Sequence, residues 1–143
     1  MKRKLLVLDT NHRRCLAQPD SLTLPLLRRL AESEAAVVST IITAEEHFRG
    51  RLAQIRSAAD APRQIPYYQA FRETIEFYHA WVLLPWDAES AGLFTTFRKQ
   101  GVRIGAIDLK LASITIAHDA TPLTRNTVDF AQVPGLRFEN WLD

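Results

Sequence analysis

The sequence predicts an α/β domain with a central parallel β-sheet flanked by α-helices, and three observations carry that expectation. Short runs of Leu, Val and Ile alternate along the chain with longer stretches of helical periodicity. The first of these runs is apolar throughout rather than alternating, as strands buried on both faces are. Finally, 143 residues with 47% hydrophobic and 24% charged composition suit one globular domain, residues 1–143, large enough to close a core.

Residues 4–8 form the first expected strand. Leu22, Leu26, Leu27 and Leu30 recur at helical spacing, which places a helix over 22–32. A β-branched run at 35–40 is the second strand, and Thr43 is read as the opening of a helix that continues to about Ala59. Pro62 and Pro66 punctuate the chain there. Tyr67, Phe71, Ile75 and Tyr78 share one face of a helix expected over 67–81, and 82–84 is a third strand ended by Pro85. Asp87 has the chemistry of an N-cap for a helix through Lys99, with Gly101 as its stop. Residues 107–118 are apolar almost all round, the mark of a buried helix. A fourth strand at 121–124, a Pro134-Gly135 turn and a short last strand at 136–139 complete the reading.

The bulk chemistry narrows function mostly by exclusion. A net charge of +2 does not announce a nucleic-acid binder, so any nucleic-acid surface has to gather basic residues locally. Arg49, Arg51, Arg103, Lys110 and Arg125 are candidates for that, with a solvated surface as the plainer alternative. The single cysteine, Cys15, excludes an internal disulfide and a cysteine-based zinc cluster, and it fits a cytoplasmic setting. The charged start Met1-Lys2-Arg3-Lys4 is followed by only four apolar residues, too few for a signal peptide, and no run is long enough for a membrane span. His12, His47, His79 and His118 show no zinc-protease spacing, and the five glycines are isolated, so no phosphate loop is present. The aromatic set from Tyr67 to Trp81 has packing spacing more than base-stacking spacing.

In open parallel sheets, ligands bind beyond the carboxyl ends of the strands. Acids fall at those places: Asp9 after the first strand, Glu45 and Glu46 after the second, Asp108 at the start of the buried helix, and Asp129 after the fourth. Converging carboxylates repel one another and call for a cation. An oxygen-only ligand set favours Mg²⁺, with Mn²⁺ as the alternative, and such an ion suits phosphodiester hydrolysis. Each acid also has a plainer role. Asp9 can cap the next helix, Glu46 stands three after Thr43 in a capping-box pattern, Asp108 suits a helix N-terminus, and Asp129 suits a loop.

Four segments carry a family resemblance. They are Leu8-Asp9-Thr10-Asn11, Ile42-Thr43-Ala44-Glu45-Glu46, Ile104-Gly105-Ala106-Ile107-Asp108-Leu109-Lys110-Leu111-Ala112, and Leu123-Thr124-Arg125-Asn126-Thr127-Val128-Asp129-Phe130 with Val133-Pro134-Gly135-Leu136. In order and spacing the chain resembles PIN-domain nucleases of the VapC type, the toxin half of a type II toxin–antitoxin pair. The resemblance implies a single PIN-like domain and a Mg²⁺-dependent endoribonuclease with Asp9, Glu46, Asp108 and Asp129 as acidic centre and metal ligands. It also implies Thr10, Asn11 and Asn126 as polar supports or substrate contacts, an RNA substrate, a small antitoxin partner and a homodimer. The family register assigns the role to Glu46 rather than Glu45. Two alternatives remain: a non-catalytic RNA- or protein-binding module of the same fold, and a phosphatase with Asp9 as nucleophile. The phosphatase is the weaker, because a second Asp is expected where Asn11 stands.

Overall fold

The computed structural model describes residues 4–143; the charged start at Met1-Lys2-Arg3 lies outside the described residues. In chain order the elements are β1 (Leu5–Leu8), α1 (Thr10–Ala17), α2 (Thr23–Ser33), β2 (Ala36–Thr40), α3 (Ile41–Ser57), α4 (Ala61–His79), β3 (Leu83–Leu84), α5 (Ala88–Lys99), α6 (Ala106–Ala117), β4 (Thr121–Leu123) and α7 (Thr127–Phe130). The four strands are all parallel, in the order β3-β2-β1-β4. Val7 pairs with Val38 on one side and Pro122 on the other. β1 is therefore central, and the order reverses beside it, because the chain moves one way to β2 and the other way to β4. Connections that diverge at such a point leave a crevice at the carboxyl ends of the strands.

Side chains alternate across β1 and seed a core on each face. Val7 packs with Val38, Ile42, Leu84, Leu109, Ile114 and Phe130 on one side. Leu6 and Leu8 pack with Cys15, Leu26, Leu30 and Leu123 on the other. α6 is apolar all round because it is walled in: Leu109, Leu111, Ala112, Ser113, Ile114 and Thr115 are all buried.

Several boundaries differ from the sequence reading. α3 starts at Ile41, capped by Thr40, whose side chain accepts from Thr43 N–H at 3.0 Å; Thr43 lies inside the helix. α4 starts at Ala61 rather than Tyr67, because Asp60 caps it and Pro62 sits in its first turn, where a missing N–H costs nothing. Pro66 lies within that helix. Of the face proposed for α4, Tyr78 is buried but Ile75 is 48% exposed, and Thr74 is buried in its place. In α2, Leu26 and Leu30 face the core while Leu27 is exposed. The short last strand reduces to an isolated parallel bridge between Leu123 and Glu139. Two helices escaped the periodicity argument. α1 buries His12, Arg13 and Cys15, a polar set with no apolar stripe, and α7 is a single turn.

Candidate active site

β1 ends directly at Asp9, whose extended backbone places it as the N-cap of α1. Its Oδ1 accepts from His12 N–H at 2.9 Å and lies 2.9 Å from His12 Nδ1. The Trp141 N–H donates to His12 Nε2 at 3.2 Å. That donor makes Nε2 the acceptor, so Nδ1 carries the proton and donates to Asp9. Asp9 thus does cap a helix, but with one oxygen; Oδ2 has a single long contact, from Arg125 N–H at 3.4 Å.

β2 runs straight into α3, and the early start of that helix decides the two glutamates. With Thr40 as cap, Glu46 is the sixth helical residue and stands outside any capping box. It accepts a hydrogen bond from the Thr10 hydroxyl on α1. Glu45 turns outward and pairs with Arg49 at 2.9 Å. Asp108, the third residue of α6, faces the loop after β4. Asn126 Nδ2 donates to Asp108 Oδ2 and to Asp129 Oδ2, each at 2.9 Å. Burial raises the Asp108 pKa; the Asn126 bond opposes this, and the charges of Asp129, Glu46 and Asp9 add to the rise. All four acids thus share one electrostatic neighbourhood.

A cavity of about 230 Å³ opens there, lined by Asp9, Thr10, Asn11, Glu46, Asp108 and Asn126 among others. Six of the seven expected site residues line it. Asp129 does not; it stands behind Asn126. Among the described residues, no three His, Cys, Asp or Glu side chains converge into a ready-made metal cage. The donor set is nonetheless all oxygen, with carboxylates from separate elements around one cavity. That fits a hard ion held by one or two carboxylates and completed by water.

Most other candidates are engaged elsewhere. Arg49 is paired with Glu45, Arg125 with Asp143 at 2.7 Å, and Lys110 lies over the Trp86 ring. Cys15 is buried against Asp20 and Thr23. Phe71 and Tyr78 of the aromatic set pack edge to face between α3 and α4, through Phe48–Phe71 and His47–Tyr78. Of the basic candidates, Arg51 lines a second, larger cavity of about 320 Å³ that shares Thr10 and Glu46 with the first. Sequence reasoning missed the support that His12 gives Asp9 and the burial of Arg13. The one local signal is that His12 stands three residues after Asp9; the rest depends on what the far end of the chain, through Trp141, and α3, through His47, bring to α1.

The comparisons with known proteins agree with this fold. No family model matches the chain. A stretch of 49 residues is 43% identical to Ribonuclease VapC2 of Rickettsia felis, a stretch covering 34% of this chain and 37% of that protein. The match therefore spans little more than a third of that curated relative's length. Solved structures match along nearly the whole chain. VapBC-1 from nontypeable Haemophilus influenzae aligns at TM-score 0.75 and 21% identity over 97% of this chain and 99% of the matched chain. VapBC2 from Rickettsia felis, bound to a promoter DNA fragment, aligns at 0.66 and 22% over 96% and 98%. FitAcB from Neisseria gonorrhoeae aligns at 0.67 and 19% over 95% and 97%. The chain has the PIN-like α/β fold, a parallel sheet with its acids at one end. Within that class its fold is similar to that of the VapBC structures along its length, and its sequence is similar to a VapC ribonuclease over the matched stretch.

Proposed function

We propose that this chain is a divalent-metal-dependent endoribonuclease, the toxin component of a two-protein toxin–antitoxin pair. The observation that carries the reading is the gathering of Asp9, Glu46, Asp108 and Asp129 from four separate elements at the carboxyl edge of the sheet. The local identity with a ribonuclease and the fold shared with VapBC structures support it.

Asp9 and Asp108 would hold Mg²⁺ or Mn²⁺, with Glu46 and Asp129 as direct or water-bridged contributors. When bound, the ion supplies an activated water and charge stabilisation on a phosphoryl group. The chain's own residues prepare that site. His12 and the α1 amide fix the plane of the Asp9 carboxylate. Asn126 holds Asp108 and Asp129 in register, and the Thr10 hydroxyl orients Glu46. The same geometry is less suited to a phosphatase nucleophile, because Asp9 Oδ1 is already committed to two donors.

An antitoxin fits an acidic cavity best through an Arg, whose planar fork matches a carboxylate bidentately. Exposed Leu24 and Leu27 on α2 and Ile65, Tyr68 and Ile75 on α4 offer apolar surface for that partner or for a second copy of the chain. The deciding experiment is cleavage of single-stranded RNA by the purified chain with Mg²⁺, with Mn²⁺ and with EDTA. Cleavage only with the ions, lost in Asp108→Asn, is the expected result. A folded protein that cuts RNA in none of these conditions overturns the reading.

A further inference from the structure

The larger cavity beside the acidic one has the opposite charge. Its walls include Arg13, Arg14 and Arg51, with Gln18 and Gln54 at its rim and Glu46 as its one carboxylate. Arg13 is only 4% exposed, and its Nε is buried without a hydrogen-bond partner. Among the described residues its one side-chain hydrogen bond runs from Nη1 to His47 Nε2 at 3.3 Å. No carboxylate among the described residues lies within ion-pair distance of it. Glu73, which lines a small neighbouring cavity, forms no ion pair with it.

A guanidinium taken out of water without a matching anion is costly, and for Arg13 burial outweighs the opposing influence of Tyr78 and Glu46, so its pKa is lowered. The His47 ring that takes the Arg13 bond is an uncharged partner, because Nε2 accepts only when it carries no proton. With Arg13 donating to Nε2, His47 donates through Nδ1 to the Tyr78 hydroxyl, 3.2 Å away. Burial pushes that hydroxyl up to about 12, so it too is uncharged. Arg51 is pre-aimed by Thr74 Oγ1 on its Nε (3.0 Å) and Gln54 Oε1 on its Nη1 (3.2 Å). Three cations, one of them buried and unpaired, thus surround a space with room for a polyoxyanion. Thr10 and Glu46 form the wall shared with the acidic cavity, so an anion seated here lies next to any group reacting there.

We infer that the cavity walled by Arg13, Arg14 and Arg51 is a phosphate subsite, which holds a non-scissile phosphate of an RNA strand whose scissile bond lies in the acidic cavity. The RNA occupant rests on the ribonuclease reading; the anion site does not. Guanidinium forks match phosphate oxygens bidentately, and a nucleic-acid strand presents a further phosphate on each side of the one being attacked.

The test has an arm without catalysis. Inorganic phosphate, titrated into the full chain in EDTA at constant ionic strength, should raise its melting temperature and shift amide resonances in α1 and α3. Arg14→Gln and Arg51→Gln should each lose most of that response. Arg13→Met should lose it as well, while the phosphate-free protein melts no lower than the parent, since the substitution removes an unpaired buried charge. In the RNA arm, binding of a short single-stranded oligoribonucleotide in EDTA should show a salt slope smaller by about 0.7 for each phosphate contact removed. Cleavage by Arg14→Gln and Arg51→Gln should show a raised KM with kcat near the parent value. Variants that keep the parent phosphate response, salt slope and KM, while Asp108→Asn abolishes cleavage, overturn the subsite and leave the ribonuclease reading standing. A parent that cuts no RNA but loses its phosphate response in the Arg variants keeps the anion site and overturns the RNA occupant. An acidic peptide that displaces phosphate where the oligoribonucleotide does not reassigns the cavity to a protein partner.

Discussion

Glu45 and Glu46 are neighbours with the same chemistry, yet the fold gives them opposite surroundings. Glu46 meets Thr10 beside the acidic cavity, whereas Glu45 and Arg49 form an exposed pair one helical turn apart. Glu46→Gln is therefore expected to lose most metal-dependent cleavage while keeping its melting temperature, since Gln still accepts from Thr10. Glu45→Gln should stay active and lose only the few tenths of a kcal/mol typical of an exposed i,i+4 pair, about 0.3–0.5. Paired cleavage and melting assays read both, and a dead Glu45→Gln beside an active Glu46→Gln reverses the assignment. Asp108 offers a stability readout. Burial, with the neighbouring acids, raises its pKa in the fold, so the fold favours the protonated form. That preference stabilises the metal-free protein at low pH and is lost as pH rises through the folded pKa. In EDTA, Asp108→Asn should melt with the parent in acid and above it near neutrality, because the amide carries no charge to repel.

At the scale of elements, α3 depends on its first turn. Thr40 is both the last residue of β2 and the cap of α3, and its hydroxyl is bonded to the Thr43 N–H. Thr40→Ala should cost about 1 kcal/mol, within a range of ~0.5–2, measured by urea denaturation. Thr43→Ala, tested beside it, separates the cap from a residue inside the helix. α2 gives a second contrast. Leu26 is fully buried while Leu27 is 47% exposed. Leu26→Ala should destabilise by about 2–5 kcal/mol, and Leu27→Ala by no more than ~0.5. Equal losses at the two positions would place Leu27 in an interface that the single chain does not show.

The whole molecule brings the acids together by topology. β1 is flanked by β2 and β4, and the loops leaving β1 and β4 separate at the carboxyl edge of the sheet. Asp9 and Asn126 stand on the two sides of that divergence, and α6 adds Asp108. The end of the chain returns to the same place, where the Trp141 amide holds the His12 ring that supports Asp9. A cation that binds this assembly and not the unfolded chain stabilises the fold by mass action, about 2.7 kcal/mol at a hundredfold excess over Kd. Differential scanning calorimetry of EDTA-stripped protein with millimolar Mn²⁺ should show the rise. No rise in the parent means that the carboxylates do not bind the ion, and a rise that survives in Asp9→Asn means that it binds elsewhere.

By itself the sequence determined the fold class, the four strands, the Asp87 cap of α5 and the buried character of α6. Those features are local: an apolar run, a polar cap before a helix, or an all-apolar helix shows its burial in its own composition. It also marked the positions of the acids, because a parallel sheet sends strand ends to one edge. Tertiary structure alone decided what lies between those marks. The β-branched run Thr40-Ile41-Ile42-Thr43 passes from strand to helix without a break in character, so only the pairing of β2 with β1 and β3 ends the strand at Thr40. α1 shows no apolar stripe because its inward residues are His12, Arg13 and Cys15. Polar side chains become core residues only when partners meet them, here Asp9 at the start of the same helix and, from elsewhere, His47 and Trp141, the latter 129 positions along the chain. Hydrophobic burial shows in the residue that undergoes it, whereas a buried polar group is defined by its partners, and those only the folded chain supplies.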